Sequence, residues 1–62
     1  MVQLTDLQSG THVWVNMRLV ATMRRITSGV RIYTVLLFGD DREVFVTETP
    51  EEIVLADFRR HM

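Results

Sequence analysis

Among the residue types that do chemistry, this chain offers two adjacent acids (Asp40 and Asp41), two histidines (His12 and His61), two serines (Ser9 and Ser28) and a set of arginines. Adjacent acids can hold a hard cation, but a calcium loop needs oxygen ligands at several further fixed positions. Gly39-Asp40-Asp41-Arg42 lacks them and reads as a solvated hairpin tip. His12 and His61 stand at opposite ends of the chain with no second ligand near either in sequence, which suits surface or interface histidines. A serine nucleophile needs an oriented base, and Ser9 and Ser28 fall in turn-like segments without one. Gly10, Gly29 and Gly39 each fit a separate turn, so no phosphate-cradling loop is formed. The absence of cysteine removes disulfides and thiolate zinc sites. No catalytic constellation, metal site or cofactor is expected.

The arginines carry the one remaining chemical signal. All seven basic residues are Arg, the side chain that makes planar, bidentate contacts at interfaces and on phosphates. A G+C-rich coding bias accounts for the same usage. Arg24, Arg25 and Arg31 converge near one end of a predicted hairpin, with Tyr33 opposite Arg24, an arrangement that resembles an RNA platform. Arg24 stacked on Tyr33 as a structural cation–π pair is the blander reading. The net charge of −1, and acids at Asp40, Asp41, Glu43, Glu51 and Glu52, disfavour nucleic acid as the partner.

These residues must be positioned by short strands. Val2 to Thr5 alternates apolar and polar as a half-buried strand does, and Asp6 to Gly10 is a turn with Gly10 free to take a positive φ. Thr11 to Asn16 is β-branched and aromatic, with Val13 and Val15 on one face and His12 and Trp14 on the other. Met17 to Thr27 reads two ways. Asn16 could cap a helix carrying Leu19, Val20, Met23 and Ile26, but Ser28-Gly29 followed by the strand-like Val30 to Phe38 favours a hairpin. The preferred reading is a short turn at Met17-Arg18 and a strand from Leu19 to Thr27. Glu43 to Glu48 is the last strand. Thr49-Pro50-Glu51-Glu52 is a capping box that opens a helix from about 50 to 61, with acids in its first turn and Arg59, Arg60 and His61 in its last. Ile53, Val54, Leu55, Ala56 and Phe58 make its apolar stripe wider than one packing face needs.

With Ser28 and Gly29 as the loop, Thr27 pairs with Val30, Arg25 with Ile32, Met23 with Thr34, Arg24 with Tyr33 and Val20 with Leu37. With four residues in the Gly39–Arg42 loop, Phe45 falls beside Leu36, and Val44 and Val46 beside Leu37 and Val35. Both faces of this meander come out apolar, where a sheet with one wet face should alternate. The expected fold is a single domain, 1–62, mainly β with one C-terminal helix (α+β). It is a small antiparallel meander or partly closed barrel of about five strands.

A chain of 62 residues buries only about 60% of its unfolded surface, and this one has no disulfide to help. Its apolar content is 47%, more than so small an interior can hide, so a partner is expected to cover the rest. A second copy is the most economical partner, and another protein the next. Trp14, Leu36, Phe45, Leu55 and Phe58 are the interface candidates. Met1 to Gly10 lacks the basic and apolar runs of a secretory signal, and no apolar stretch approaches the ~20 residues of a membrane span. The cytoplasm is the expected compartment, with no membrane partner.

The order of motifs resembles a known family. Leu4-Thr5-x-Leu7-x-x-Gly10, Val13-x-Val15-Asn16, a Thr-rich hairpin and Val46-x-Glu48-Thr49-Pro50-Glu51-Glu52-Ile53 look like the small bacterial FlbD/SwrD-type proteins linked to flagellar and swarming motility. The resemblance implies a small regulatory module without a defined biochemical activity, with a place in motility. A second, lesser resemblance is to the carbon storage regulators, RNA-binding intertwined dimers. Val30-Arg31-Ile32 and Glu43-Val44-Phe45-Val46, with Glu51-Glu52-Ile53, are similar to that family's central strand and C-terminal half. Pro50 stands where that family places a basic residue. The expected function is therefore a non-enzymatic protein-interaction module acting as a homo-oligomer, with RNA binding as the alternative and inhibition of a partner enzyme as a third, weaker one.

Overall fold

A computed structural model describes residues 1–60. The elements run β1 (Val2–Thr5), β2 (His12–Val15), β3 (Val20–Ser28), β4 (Arg31–Phe38), β5 (Glu43–Val46) and α1 (Pro50–Arg60), with a 3-10 turn at Met17–Leu19 ahead of β3. The protein is mainly β with one C-terminal helix, as expected. The helix was expected to reach about 61, and His61 lies outside the described residues. The strands divide into two antiparallel sheets, β1–β2 and β3–β4–β5. A bridge between Asp6 and Val46 links them, flanked by Leu7 N–H donating to the Phe45 carbonyl at 2.9 Å and Thr47 N–H to the Thr5 carbonyl at 3.0 Å. Among the described residues no strand pairing joins β2 to β3, and no closed barrel forms.

Each turn has a local cause. The Asp6 carboxylate accepts from the Ser9 N–H at 2.9 Å and its hydroxyl at 2.8 Å, and Gly10 closes the loop at φ +73°. Asn16 keeps extended backbone and accepts from the Arg18 N–H, so it caps the 3-10 turn instead of a long helix. The segment after it is strand, and Leu19 belongs to the turn that precedes it.

Both hairpin registers differ from the sequence expectation, for different reasons. The β3–β4 loop is Gly29-Val30, not Ser28-Gly29, and Ser28 pairs with Arg31. Gly29 sits at φ +61° while Val30 is not at positive φ, which matches a two-residue turn with glycine first. Pairs slip by two residues, so Met23 meets Leu36 and Arg24 meets Val35, yet each side chain keeps its face. The β4–β5 loop holds three residues. Asp41 N–H donates to the Phe38 carbonyl at 3.0 Å, Phe38 N–H to the Arg42 carbonyl at 2.9 Å, and Asp41 takes φ +69°. A turn followed by one left-handed residue is the common three-residue hairpin loop. This one-residue change turns β5 over: Val44 and Val46 pair with Leu36 and Thr34, and Phe45 pairs with Val35.

The core lies between the inner faces of the two sheets and α1. Val2, Leu4, Val15, Leu36, Val46 and Ile53 are buried, with Val13, Met17, Val20, Met23, Phe38, Val44 and Ala56 packed around them. Each fully buried aliphatic side chain contributes roughly 1.5–3 kcal/mol. Val20 joins this core through an irregularity. The register breaks between Val20 and Thr22, with Ala21 the extra residue, and Val20 pairs with Phe38. The bulge rotates Val20 from the outer face, where strict alternation puts it, to the inner one.

Helix α1 starts as its capping box dictates. Thr49 Oγ1 accepts from the Glu52 N–H at 3.2 Å, and Glu52 Oε1 accepts from the Thr49 N–H at 3.0 Å. Ile53 is buried and Ala56 packs beside it, while Val54, Leu55 and Phe58 face outward.

Candidate functional site

The outer face of the β3–β4–β5 sheet is a surface that the core does not use. Alternation sends Leu37, Val35 and Tyr33 of β4 to it, one above another. At the same levels β3 supplies Thr22, Arg24 and Ile26. On the other flank β5 supplies Glu43 beside Leu37 and Phe45 beside Val35. These side chains line one open groove. Tyr33 and Phe45 meet at 6.0 Å between ring centroids, tilted by 47°, a favourable aromatic geometry. Ile26, Tyr33, Val35 and Leu37 are half-buried by one another, and Phe45 is 40% exposed.

The expected interface residues separate. Leu36 is fully buried; it points to the inner face, where Val44 sits beside it, and offers nothing to a partner. Phe45 lies on the outer sheet face because of the three-residue loop. Trp14 is 64% exposed and borders a different cleft, with Leu19, Phe38 and Val44. Leu55 and Phe58 remain exposed on α1, apart from both. Sequence reasoning passed over Leu37, Ile26 and Glu43 as site residues. For Leu37 the signal was the apolar character of both phases of the β4 run, while Ile26 and Glu43 come to the site only through the register of the neighbouring strands.

The arginine group divides too. Arg24 and Arg31 share the outer face with Tyr33, but Arg24 lies beside Val35 and Arg31 beside Ser28. Arg25 belongs to the inner face and reaches Glu51 of α1 at 2.7 Å. That contact and, more strongly, the Glu51 backbone N–H hold the Glu51 carboxyl below its ordinary range. The cation–π contact forms elsewhere, with the Arg42 guanidinium 5.6 Å from the Phe38 ring centroid. Arg42 Nε also donates to Asp40 at 2.7 Å and lowers its carboxyl pKa.

Among the described residues no three His, Asp or Glu side chains gather as a metal cluster, and no helix is long and apolar enough to cross a membrane. No family model matches the chain, and no curated protein or solved structure does either. Fold and surface together describe a small two-sheet domain whose larger sheet leaves one face uncovered, with Val35, Leu37 and Phe45 set among Arg24, Arg31 and Glu43.

Proposed function

We propose that the protein is a non-enzymatic interaction module that works as a homo-oligomer in the cytoplasm. The observation that carries this reading is the outer face of β3–β4–β5, where Phe45 stays 40% exposed over half-buried Val35 and Tyr33. A single 62-residue core leaves such a face uncovered, and a second subunit stabilises it by excluding water. The bridge from Asp6 to Val46 supports describing the two sheets as a partly closed barrel that is open between β2 and β3. The resemblance to FlbD/SwrD-type proteins is compatible with such a module. The residues that carry it, Gly10, Asn16 and Thr49 to Ile53, shape a turn, a cap and a helix start. RNA binding has less support, since Arg25 is engaged with Glu51 and the net charge is −1.

Thermal unfolding at a series of protein concentrations tests the reading. Association linked to folding makes the midpoint rise with concentration. A midpoint that stays constant over a hundredfold range, at about 1 μM and above, would count against a homo-oligomer.

A further inference from the structure

We propose that Arg24 keeps the free edge of β3 from pairing with the same edge of a second copy, so that an assembly of this chain stays finite instead of extending its sheet. The inference concerns an edge and not the outer face, and it stands whether or not copies associate through that face.

Strand β3 has nine residues and one neighbour, β4. Ser28 and Arg31 close the two-residue loop as a hydrogen-bonded pair, and antiparallel pairs alternate from there. Ser28, Ile26 and Arg24 therefore exchange bonds with β4, while Thr27, Arg25 and Met23 turn their N–H and C=O groups outward. Among the described residues no backbone bond from outside the sheet reaches those groups. Such a row is a template for another strand, and β3 of a second copy is the strand always at hand. The other edge, β2, is four residues long and leaves little to pair with.

Arg24 stands at the midpoint of β3. A two-fold axis normal to the sheet joins two β3 edges antiparallel and keeps every residue on its own face. Its longest overlaps are centred on Met23, Arg24 or Arg25. Centred on Arg24, it sets the two Arg24 side chains directly opposite. Centred one residue to either side, it makes them diagonal neighbours, roughly 7–8 Å apart. Like charges directly opposite oppose pairing, and long side chains still meet on the diagonal. Arg24 is exposed and in no ion pair with a described residue. On the same face Arg31 adds a further cation on β4, and the anion Glu43 stands on β5, two strands from the edge. On the inner face Arg25 is held by Glu51, and Asp57, near Met23, is engaged as well. The repulsion is therefore carried by Arg24. The bulge at Ala21 breaks the ladder at the start of the strand and leaves Arg24 within the regular part. Copies that met through both the outer face and this edge would have a route to open-ended growth, which the charge closes.

Neutralising the charge tests this, with mass read by sedimentation, amide exchange by NMR and the fold of each variant by circular dichroism. Arg24→Thr, with Arg24→Gln as a milder form, should give a heavier species than the wild type at the same concentration. In it the Met23, Arg25 and Thr27 amides should exchange about tenfold more slowly, because edge pairing engages them and face contact does not. Arg24→Lys and Arg31→Thr should keep the wild-type mass. A wild-type mass for both neutral variants would overturn the proposal, as would a heavier species in which those amides exchange as before. Slow exchange of the same amides in the wild type would also overturn it, by showing the edge already paired. A monomeric wild type whose neutral variants pair through these amides would remove the self-association reading and uphold this one.

Discussion

Thr34 donates its hydroxyl to the backbone carbonyl of Glu48 at 2.6 Å, from the wholly buried middle of β4 to the residue before the helix cap. The Glu48 carboxylate meanwhile accepts from the Thr5 N–H and hydroxyl, both at 2.9 Å. One residue therefore ties β1, β4 and the start of α1 together, and fixes where the helix leaves the sheet.

Replacing Thr34 with Val keeps the shape and leaves the Glu48 carbonyl without its partner. The expected loss is about 1–3 kcal/mol, a large share of the total for so small a domain. Urea unfolding of Thr34→Val against Thr34→Ser checks this, because Ser keeps the donor. Equal stability of Thr34→Val and the wild type would show that the bond contributes nothing.

How much of this was legible in the sequence depended on whether the signal was local. The capping box at Thr49 involves neighbours in the chain, and its chemistry alone places it, whereas Asn16 reads as a cap only for a long helix and in fact caps the short 3-10 turn. The β4–β5 register hung on the conformation of one loop residue. Asp41 is among the few residue types that tolerate positive φ, but nothing in its immediate neighbours requires it to do so. Reading the loop as four residues put Phe45 beside Leu36 and hid the aromatic pair with Tyr33. The bulge at Ala21 was less accessible still, since it is the packing of Val20 beside Phe38 that favours breaking the alternation.

The two hairpin tips give opposite predictions. Asp41 holds φ +69° with a side chain, and the strain of that conformation outweighs the unfolded-state entropy a glycine adds, so Asp41→Gly should raise stability by about 0.5–1 kcal/mol. Gly29 is at φ +61° with open space around it, so Gly29→Ala meets no clash and should still cost about 1 kcal/mol from backbone strain. Chemical denaturation of both variants measures the difference, and a stabilising Gly29→Ala would contradict the turn assignment.

Acid should weaken the fold. Asp6 is held below its ordinary value of 3.8 by hydrogen bonds from the Ser9 backbone and side chain. Asp40 is lowered chiefly by Arg42, and Glu51, ordinarily 4.5, by its own backbone N–H and then Arg25. Carboxyls with depressed folded pKa values bind protons more readily when unfolded, so their contribution is complete above the ordinary values and is lost as pH falls through the folded ones. Stability should therefore be level in these groups above about pH 5 and decline below it, modestly because all three are exposed and screened by salt. A melting temperature that rises on acidification from pH 5 to 3 would contradict this assignment.

The central claim is that the open sheet face is covered by a second copy, and light scattering of the purified protein over a range of concentrations tests it most directly. The account predicts a mass of twice the 7.3 kDa protomer, falling toward the protomer value only on dilution. A mass of 7.3 kDa at the highest concentration attainable would contradict it, and would mean that the Phe45 face of this protein stands open in solution.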